Sequence, residues 1–256
     1  MLYSNRDLDR AFEFIEQSDF DIFCLQEVSK EFLERLKTSL HHLTYASESN
    51  LISRGKHTTI FNATLSKYPI IRSNAIPLKH YEPTLPLRSR FVARIMYGLQ
   101  DLQIWVKGLG NRHALCVDTN IPGYGCVRVF NLHLPLMHPN IRKEEFKYAM
   151  LQKDPQLPTI VCGDFNILEK LHITPINWLL GGRFSDVFFH HRERTVIEKH
   201  FVEYELTNAL SGRITHPLSR SQLDHILVSN SFSIKNTEVI SDRYGSDHHP
   251  IFAELT

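Results

Sequence analysis

The chain has 256 residues, of which 42% are hydrophobic and 22% are charged, a composition typical of a globular protein with a sizeable core. A formal net charge of +1 excludes a strong overall attraction to nucleic acid or to an anionic membrane, although a local basic patch remains compatible with it. No apolar run is long enough to span a bilayer. The four cysteines lie in apolar stretches without Cys-x-x-Cys spacing, which favours buried, reduced thiols and a cytoplasmic protein.

Apolar residues recur at helical spacing from Leu8 to Ile15, after Asn5 and Asp7, either of which can cap a helix. A short buried strand over 22–25 follows and ends in Gln26-Glu27. The pattern predicts the remaining elements in this order: a helix over 32–40; strands over 59–65, 91–97, 114–118 and 126–132; a helix near 141–151; a strand from 159; helices near 175–180 and over 194–210; and strands over 223–228, 234–240 and 251–255.

Helices that alternate with clustered strands indicate a mixed α/β protein. Two sheets packed face to face, with helices outside them, would accommodate the many strands. The sequence contains no internal repeat, no low-complexity tract and no long linker. We therefore expect a single domain over residues 1–256.

Polar side chains stand at the ends of several apolar strands. Burying a carboxylate beside a strand end costs several kcal/mol unless it is paired or bound to a cation, so repeated polar strand ends indicate a functional cleft. The segments are Leu25-Gln26-Glu27, Asn131-Leu132-His133, Gly163-Asp164-Phe165-Asn166, Gln222-Leu223-Asp224-His225 and Ser246-Asp247-His248-His249-Pro250.

These five segments, in this order over residues 21–255, resemble the endonuclease/exonuclease/phosphatase superfamily with the DNase I-like fold. The resemblance implies a four-layer α/β/β/α sandwich, in which two mixed β-sheets are flanked by helices. The beginning of the chain and its Ser-Asp-His-His-Pro tail are also similar to a bacterial branch that includes YafD-like and teicoplanin-resistance-like proteins.

The resemblance also implies a metal site and a phosphate site. Glu27 would hold a divalent cation, with Mg²⁺ expected and Mn²⁺ as the alternative ion, because Mg²⁺ prefers oxygen ligands. Asp247 would contribute to the same metal region. Asn131 is expected to support the substrate cleft, and Arg90 is the candidate phosphate clamp.

The remaining implied residues carry out the hydrolysis. His248 would be the general base that deprotonates the attacking water, with Asp224 orienting it and stabilising its imidazolium form. Asp164 and Asn166 would position the nucleophile and the phosphate. His133 would donate a hydrogen bond to a phosphate oxygen.

Each of these residues also has a purely structural interpretation. Glu27 is suited to the start of a helix, and Gly-Asp-x-Asn is a common turn sequence. A lone histidine such as His133 is often a satisfied structural residue, and Asp224 is suited to a surface ion pair. Arginines near Arg90 are more often solvated or paired with carboxylates. The co-occurrence of all five segments favours the functional interpretation.

The resembling proteins begin with a strand whose Asn helps to bind the metal, followed by a helix. In this chain the helix begins almost at Met1, and Asn5 is the only early Asn. We therefore expect that the first strand is missing from this sequence. A missing segment of this kind leaves open a membrane-associated protein as the alternative to a cytoplasmic one.

The leading hypothesis is a Mg²⁺-dependent hydrolase of phosphodiester bonds (EC 3.1), with DNA or RNA as the default substrate. The first alternative is a phosphatase or phosphodiesterase that acts on lipid or lipid-linked phosphates at a membrane. The second is a binding module with impaired catalysis. We expect a monomer that needs no obligate protein partner.

Overall fold

The computed structural model describes residues 5–53, 56–78, 86–89, 91, 112–136, 139–189 and 192–256. Arg90 and nearly all of the strand predicted over 91–97 lie outside these ranges. The elements are α1 (Leu8–Gln17), β1 (Ile22–Val28), α2 (Lys30–Leu36), β2 (His42–Ser53), β3 (Lys56–Ser66), β4 (Ile70–Pro77), β5 (His113–Ile121), β6 (Gly125–His133), α3 (Pro139–Met150), β7 (Thr159–Asp164), α4 (Thr174–Leu179), a 3₁₀ turn (Phe184–Val187), α5 (Arg192–Glu203), β8 (Leu206–Asn208), β9 (Asp224–Ser229), β10 (Ile234–Val239) and β11 (Ile251–Leu255).

The strands form two layers, and helices cover both. One layer is a six-stranded sheet of order β4-β5-β6-β7-β9-β8, and the other consists of a three-stranded sheet, β1-β3-β2, beside the β10-β11 pair. Phe146 of α3 and Phe201 of α5 pack on the outer face of the large sheet, while Ile15 of α1 and Phe32 of α2 cover the small one. The predicted four-layer α/β sandwich is confirmed.

The core between the two sheets is apolar but not continuous. Val129 and Ile226 of the large sheet pack against Ile22 of β1 and Ile251 of β11. Within the described residues, β1 pairs only with β3 and β11 only with β10, and a groove of about 230 Å³ lies between these two strands. Apolar side chains of β1, β11 and α1 line the groove, together with Gly163 at its floor.

The structure differs from several of the predicted helices and strands. Strands β2 and β4 were not predicted, because neither shows a clean alternation of apolar and polar residues. The helix predicted to reach Leu40 ends at Leu36, and Leu40 is almost fully exposed. The helix predicted over 194–210 ends at Glu203, since Glu205 has a positive φ and the chain then enters β8. No described helix is long and apolar enough to cross a membrane.

Candidate active site

The ends of β6, β7 and β9 place three of the predicted site residues side by side. The parallel pairing of β6 with β7 places His133 beside Asp164, and the antiparallel pairing of β7 with β9 places Asp164 beside Asp224. All three side chains are buried, and they lie together at the ends of three neighbouring strands of the large sheet. Gly163 is required here, because a Cβ atom at this position would lie 1.8 Å from the Leu132 carbonyl oxygen.

His248 and Asp224, which the family resemblance implies act together, form a hydrogen-bonded pair. Nδ1 of His248 lies 2.8 Å from Oδ2 of Asp224, so its other nitrogen, Nε2, is left to face the cleft. Burial lowers the pKa of His248, but the charge and hydrogen bond of Asp224 outweigh it and raise that pKa to about 9. Burial raises the pKa of Asp224, and the charge of His248 brings it down to about 2.

The backbone around Asp224 is held by a residue that the sequence did not indicate. Thr215 is fully buried, and its hydroxyl oxygen accepts hydrogen bonds from the backbone N–H groups of Leu223 and Asp224, each at 3.0 Å. The Thr215 carbonyl oxygen accepts from the N–H of His249 at 2.9 Å. Thr215 therefore links the strand that carries Asp224 to the loop that carries His248.

His133 has a partner of its own, Glu48, which no sequence pattern indicated. Nδ1 of His133 lies 2.6 Å from Oε1 of Glu48, and both side chains are buried. Burial lowers the pKa of His133, but the Glu48 carboxylate raises it to about 9, and His133 in turn lowers the pKa of Glu48 against its burial. The register of β2 against β3 shifts between Ser47 and Ser49, so Glu48 lies in a bulge that re-aims its side chain.

Asp164 and Asn166 lie between the two histidines. Oδ1 of Asp164 accepts the Asn166 backbone N–H at 2.8 Å, and the Asn166 side chain donates to the Leu134 carbonyl oxygen at 2.9 Å. Oδ2 of Asp164 is buried without a hydrogen-bond partner among the described residues; it lies 3.7 Å from Nε2 of His133 and 4.0 Å from Nε2 of His248. An unpartnered buried carboxylate oxygen facing two imidazoles is suited to receive a ligand.

Glu27 has a strained backbone at the edge of this cluster. Its φ of 54° lies in the left-handed region, which costs on the order of 1 kcal/mol for a non-glycine residue, and its N–H donates to Oε2 of Glu48 at 2.8 Å. Burial, with the negative charges of Glu48 and Asp164, raises the pKa of Glu27 to about 7, against the opposing charge of His133. A bound cation would relieve the repulsion that this pKa reflects.

The donor set fits a hard divalent ion. Glu27 and Asp164 offer carboxylate oxygens, the ligand type that Mg²⁺ prefers, and a bound cation would offset the burial that raises both pKa values. Asp247 is exposed, and its carboxylate lies with nitrogens of His216 and His248, all within 4.8 Å of one another. The expectation that Glu27 and Asp247 hold one shared ion stays a prediction.

Asn131 and Arg90 are the two residues predicted to contact the substrate. Asn131 is fully buried, donates to the carbonyl oxygens of Leu25 and Ala63, and accepts from Gln26 at 2.7 Å, so it ties the two sheets together beneath Glu27. A direct contact of Asn131 with substrate would require these hydrogen bonds to be exchanged. Arg90 lies outside the described residues.

Comparison with known proteins places this arrangement in a family. The model of the Endonuclease/Exonuclease/phosphatase family matches residues 2–248. The chain belongs to that family. Family members hydrolyse phosphoester bonds, which supports a phosphoester hydrolase here. The comparison with curated proteins gave no significant match.

Solved structures share the family fold at low sequence identity. An endonuclease/exonuclease/phosphatase of Beutenbergia cavernae is 18% identical with a TM-score of 0.68, and the alignment covers 97% of this chain and 66% of that protein. The 3′ phosphatase NExo from Neisseria, bound to a product DNA hairpin, is 16% identical with a TM-score of 0.56, covering 99% and 97% of the two chains. Sphingomyelinase C from Streptomyces griseocarneus is 16% identical with a TM-score of 0.57, covering 98% and 93%.

Proposed function

We propose that the chain is a Mg²⁺-dependent hydrolase of phosphodiester bonds, with nucleic acid as its default substrate. The observation that carries this proposal is the unpartnered Oδ2 of Asp164, which faces the Nε2 atoms of both His248 and His133. A water molecule and a phosphate group are the ligands that such a pocket of one carboxylate and two imidazoles would accept.

Each residue then has a defined task. Asp164 orients the attacking water, and His248 takes its proton at Nε2. Only unprotonated His248 can do so, and a pKa of about 9 makes that form the minor one at neutral pH, so hydrolysis should accelerate as the pH rises toward 9. Asp224 remains ionised and stabilises the resulting imidazolium, as its low pKa requires. Glu48 raises the pKa of His133 to about 9, and protonated His133 would exchange the contact of its Nε2 with the Asn166 side chain, at 3.2 Å, for a hydrogen bond to a phosphate oxygen. This donor would stabilise the negative charge that develops in the transition state.

Glu27, with Asp247 as the expected second contributor, would hold the divalent ion. When bound, the ion would supply positive charge to the phosphate oxygens and to the leaving group. Asn166 and Asn131 would keep the surrounding backbone in place through their hydrogen bonds to carbonyl oxygens.

A lipid phosphate is the second candidate substrate, and one surface feature favours it. Large apolar side chains are exposed along residues 171–189 and in the loop that carries His216: Leu171, Phe184, Phe188, Phe189 and Leu218, each more than half exposed. Phe184 contacts Trp178 of α4 and Phe188, and the Leu218 carbonyl oxygen lies 3.4 Å from His172. A group of exposed apolar side chains is suited to contact with acyl chains.

One panel of substrates tests these alternatives. Plasmid DNA, a bis-aryl phosphodiester and a lipid phosphate in vesicles are each incubated with Mg²⁺ or with EDTA, using the parent chain and His248→Ala. DNA nicking that needs both Mg²⁺ and His248 supports the leading proposal. Turnover confined to the lipid supports the second candidate, and no turnover by a folded chain supports a binding module with impaired catalysis.

A further inference from the structure

His216 is a third histidine at the site, outside every segment that carried the family resemblance. It lies in the loop between β8 and β9, and its ring centroid is 4.7 Å from that of His248. The neighbouring Thr215 anchors this loop to His249, as described above. A nitrogen of His216, a carboxylate oxygen of Asp247 and a nitrogen of His248 lie within 4.8 Å of one another, so His216 borders the reaction space.

Hydrogen bonds from Ser219 decide which nitrogen of His216 carries the proton. The backbone N–H of Ser219 points at Nδ1 of His216 at 3.2 Å, and the Ser219 hydroxyl lies 2.8 Å from the same atom. A backbone N–H can only donate, whereas a hydroxyl can donate or accept. Nδ1 is therefore the acceptor, and the proton of neutral His216 is on Nε2.

The surroundings of His216 lower its pKa, whereas those of His133 and His248 raise theirs to about 9. Burial is the main cause at His216, and the positive charge of His248 adds to it, against the smaller opposing effects of Asp247 and Asp224. The Nε2 proton of His216 follows from the Ser219 hydrogen bonds, whatever the charge of the ring.

A metal site is the competing interpretation of the same three residues, because imidazole and carboxylate together are typical zinc ligands. A histidine ligand needs an unprotonated nitrogen directed at the ion, with its other nitrogen normally donating a hydrogen bond. His216 has the opposite arrangement, since its acceptor nitrogen is occupied by Ser219. The geometry therefore favours a hydrogen-bond donor.

We infer that His216 donates from Nε2 to a non-bridging oxygen of the substrate's phosphate group, and so is a catalytic residue of the reaction. This inference rests on the proposed phosphoesterase function. A phosphate held beside Nε2 of His248 would lie within reach of His216, whose ring centroid is 4.7 Å from that of His248. The contact would help to fix the orientation of the phosphate.

Two variants at one position test the contact. His216→Leu removes the donor, whereas His216→Gln keeps an N–H group near the position of Nε2. His172→Leu is the matched control, because His172 is an exposed histidine that contacts the same loop. Binding of inorganic phosphate is measured by calorimetry, kcat/KM is measured on the substrate found active in the panel, and thermal unfolding checks that each variant is folded.

We expect His216→Leu to weaken phosphate binding and to lower kcat/KM about tenfold or more, with His216→Gln restoring most of both and His172→Leu matching the parent. Nitrogen-15 NMR of the imidazole should show the His216 proton on Nε2. Equal behaviour of the Leu and Gln variants, a proton on Nδ1, or no phosphate binding by the parent would overturn the inference. The binding and NMR results stand whether or not any ester is hydrolysed, so they separate this inference from the proposed function.

Discussion

The two carboxylate–histidine pairs of the site have the same charge chemistry but different structural support. Glu48 and His133 both lie in strands, and the Glu48 side chain is 2% exposed. Asp224 begins a strand, but His248 lies in a loop, and the Asp224 side chain is 12% exposed. The first pair is built into the layer between the sheets, whereas the second is held by loop contacts through Thr215. This difference suits His133 to a fixed electrostatic role and His248 to proton transfer.

The largest expected effect is on catalysis at the loop pair. His248→Ala should lower kcat by about a thousandfold, because the base that accepts the water proton is lost. Steady-state kinetics on the active substrate measures the loss, and thermal unfolding checks that the variant is folded, with some loss of stability expected because Asp224 loses its partner. Activity retained within tenfold would contradict the assignment of His248 as the base.

The Glu48–His133 pair should contribute more to the free energy of unfolding than the Asp224–His248 pair. Glu48→Ala leaves His133 buried without its partner and removes the acceptor of the Glu27 N–H, so the free energy of unfolding should fall by about 3 kcal/mol. Asp224→Ala should lower the free energy of unfolding by less, because the Asp224–His248 pair is closer to solvent. Urea denaturation of both variants at one pH measures the difference, and equal losses would remove the distinction between the pairs.

The pH dependence of the metal-free protein sharpens the comparison further. His133 and His248 have folded pKa values of about 9, above the ordinary value of 6.5, so their stabilisation is complete below pH 6.5 and is lost as the pH rises through about 9. NMR titration of the imidazoles should give these values, and Asp224→Asn should lower only that of His248. An equal fall in the pKa values of both histidines would show that the two carboxylate–histidine pairs are not independent.

The smallest expected effect concerns Glu27, which borders the strand pair. Its raised folded pKa means that the metal-free protein loses stability as the pH rises from about 4.5 to about 7. Glu27→Gln should therefore stabilise the metal-free protein at pH 8 by on the order of 1 kcal/mol while abolishing the stabilisation by Mg²⁺. Thermal unfolding with Mg²⁺ or EDTA tests both effects, and a variant that still responds to Mg²⁺ would remove Glu27 from the metal site.

The sequence predicted the loop pair and missed the partner of the strand pair for a physical reason. Asp224 and His248 each lie next to an apolar strand, so the pattern marks them as polar strand ends, and the family resemblance implied that they act together. Glu48 lies between two serines within a strand, and only the bulge in β2 turns it toward His133. A one-residue shift of register cannot be recognised from residue types alone.

The same limit applies to the loops. The mixed α/β class and the β1 and β7 strands follow from periodicity and alternation, the four layers were implied by the family resemblance, and the structure agrees with both. The placement of His216 depends on Thr215 and Ser219, which act through backbone hydrogen bonds over short distances. Side chains of these types occur throughout loops, so nothing in the sequence distinguishes them.

The groove between β1 and β11 has a consequence for the behaviour of the protein at high concentration. Each of these strands has one sheet neighbour among the described residues, so within that part of the chain the backbone N–H and C=O groups along its other side have no strand partner. Unprotected strand edges recruit extended peptide from other molecules, which is the first step of edge-to-edge aggregation. Solubility, more than thermal stability, is therefore expected to limit how far this chain can be concentrated.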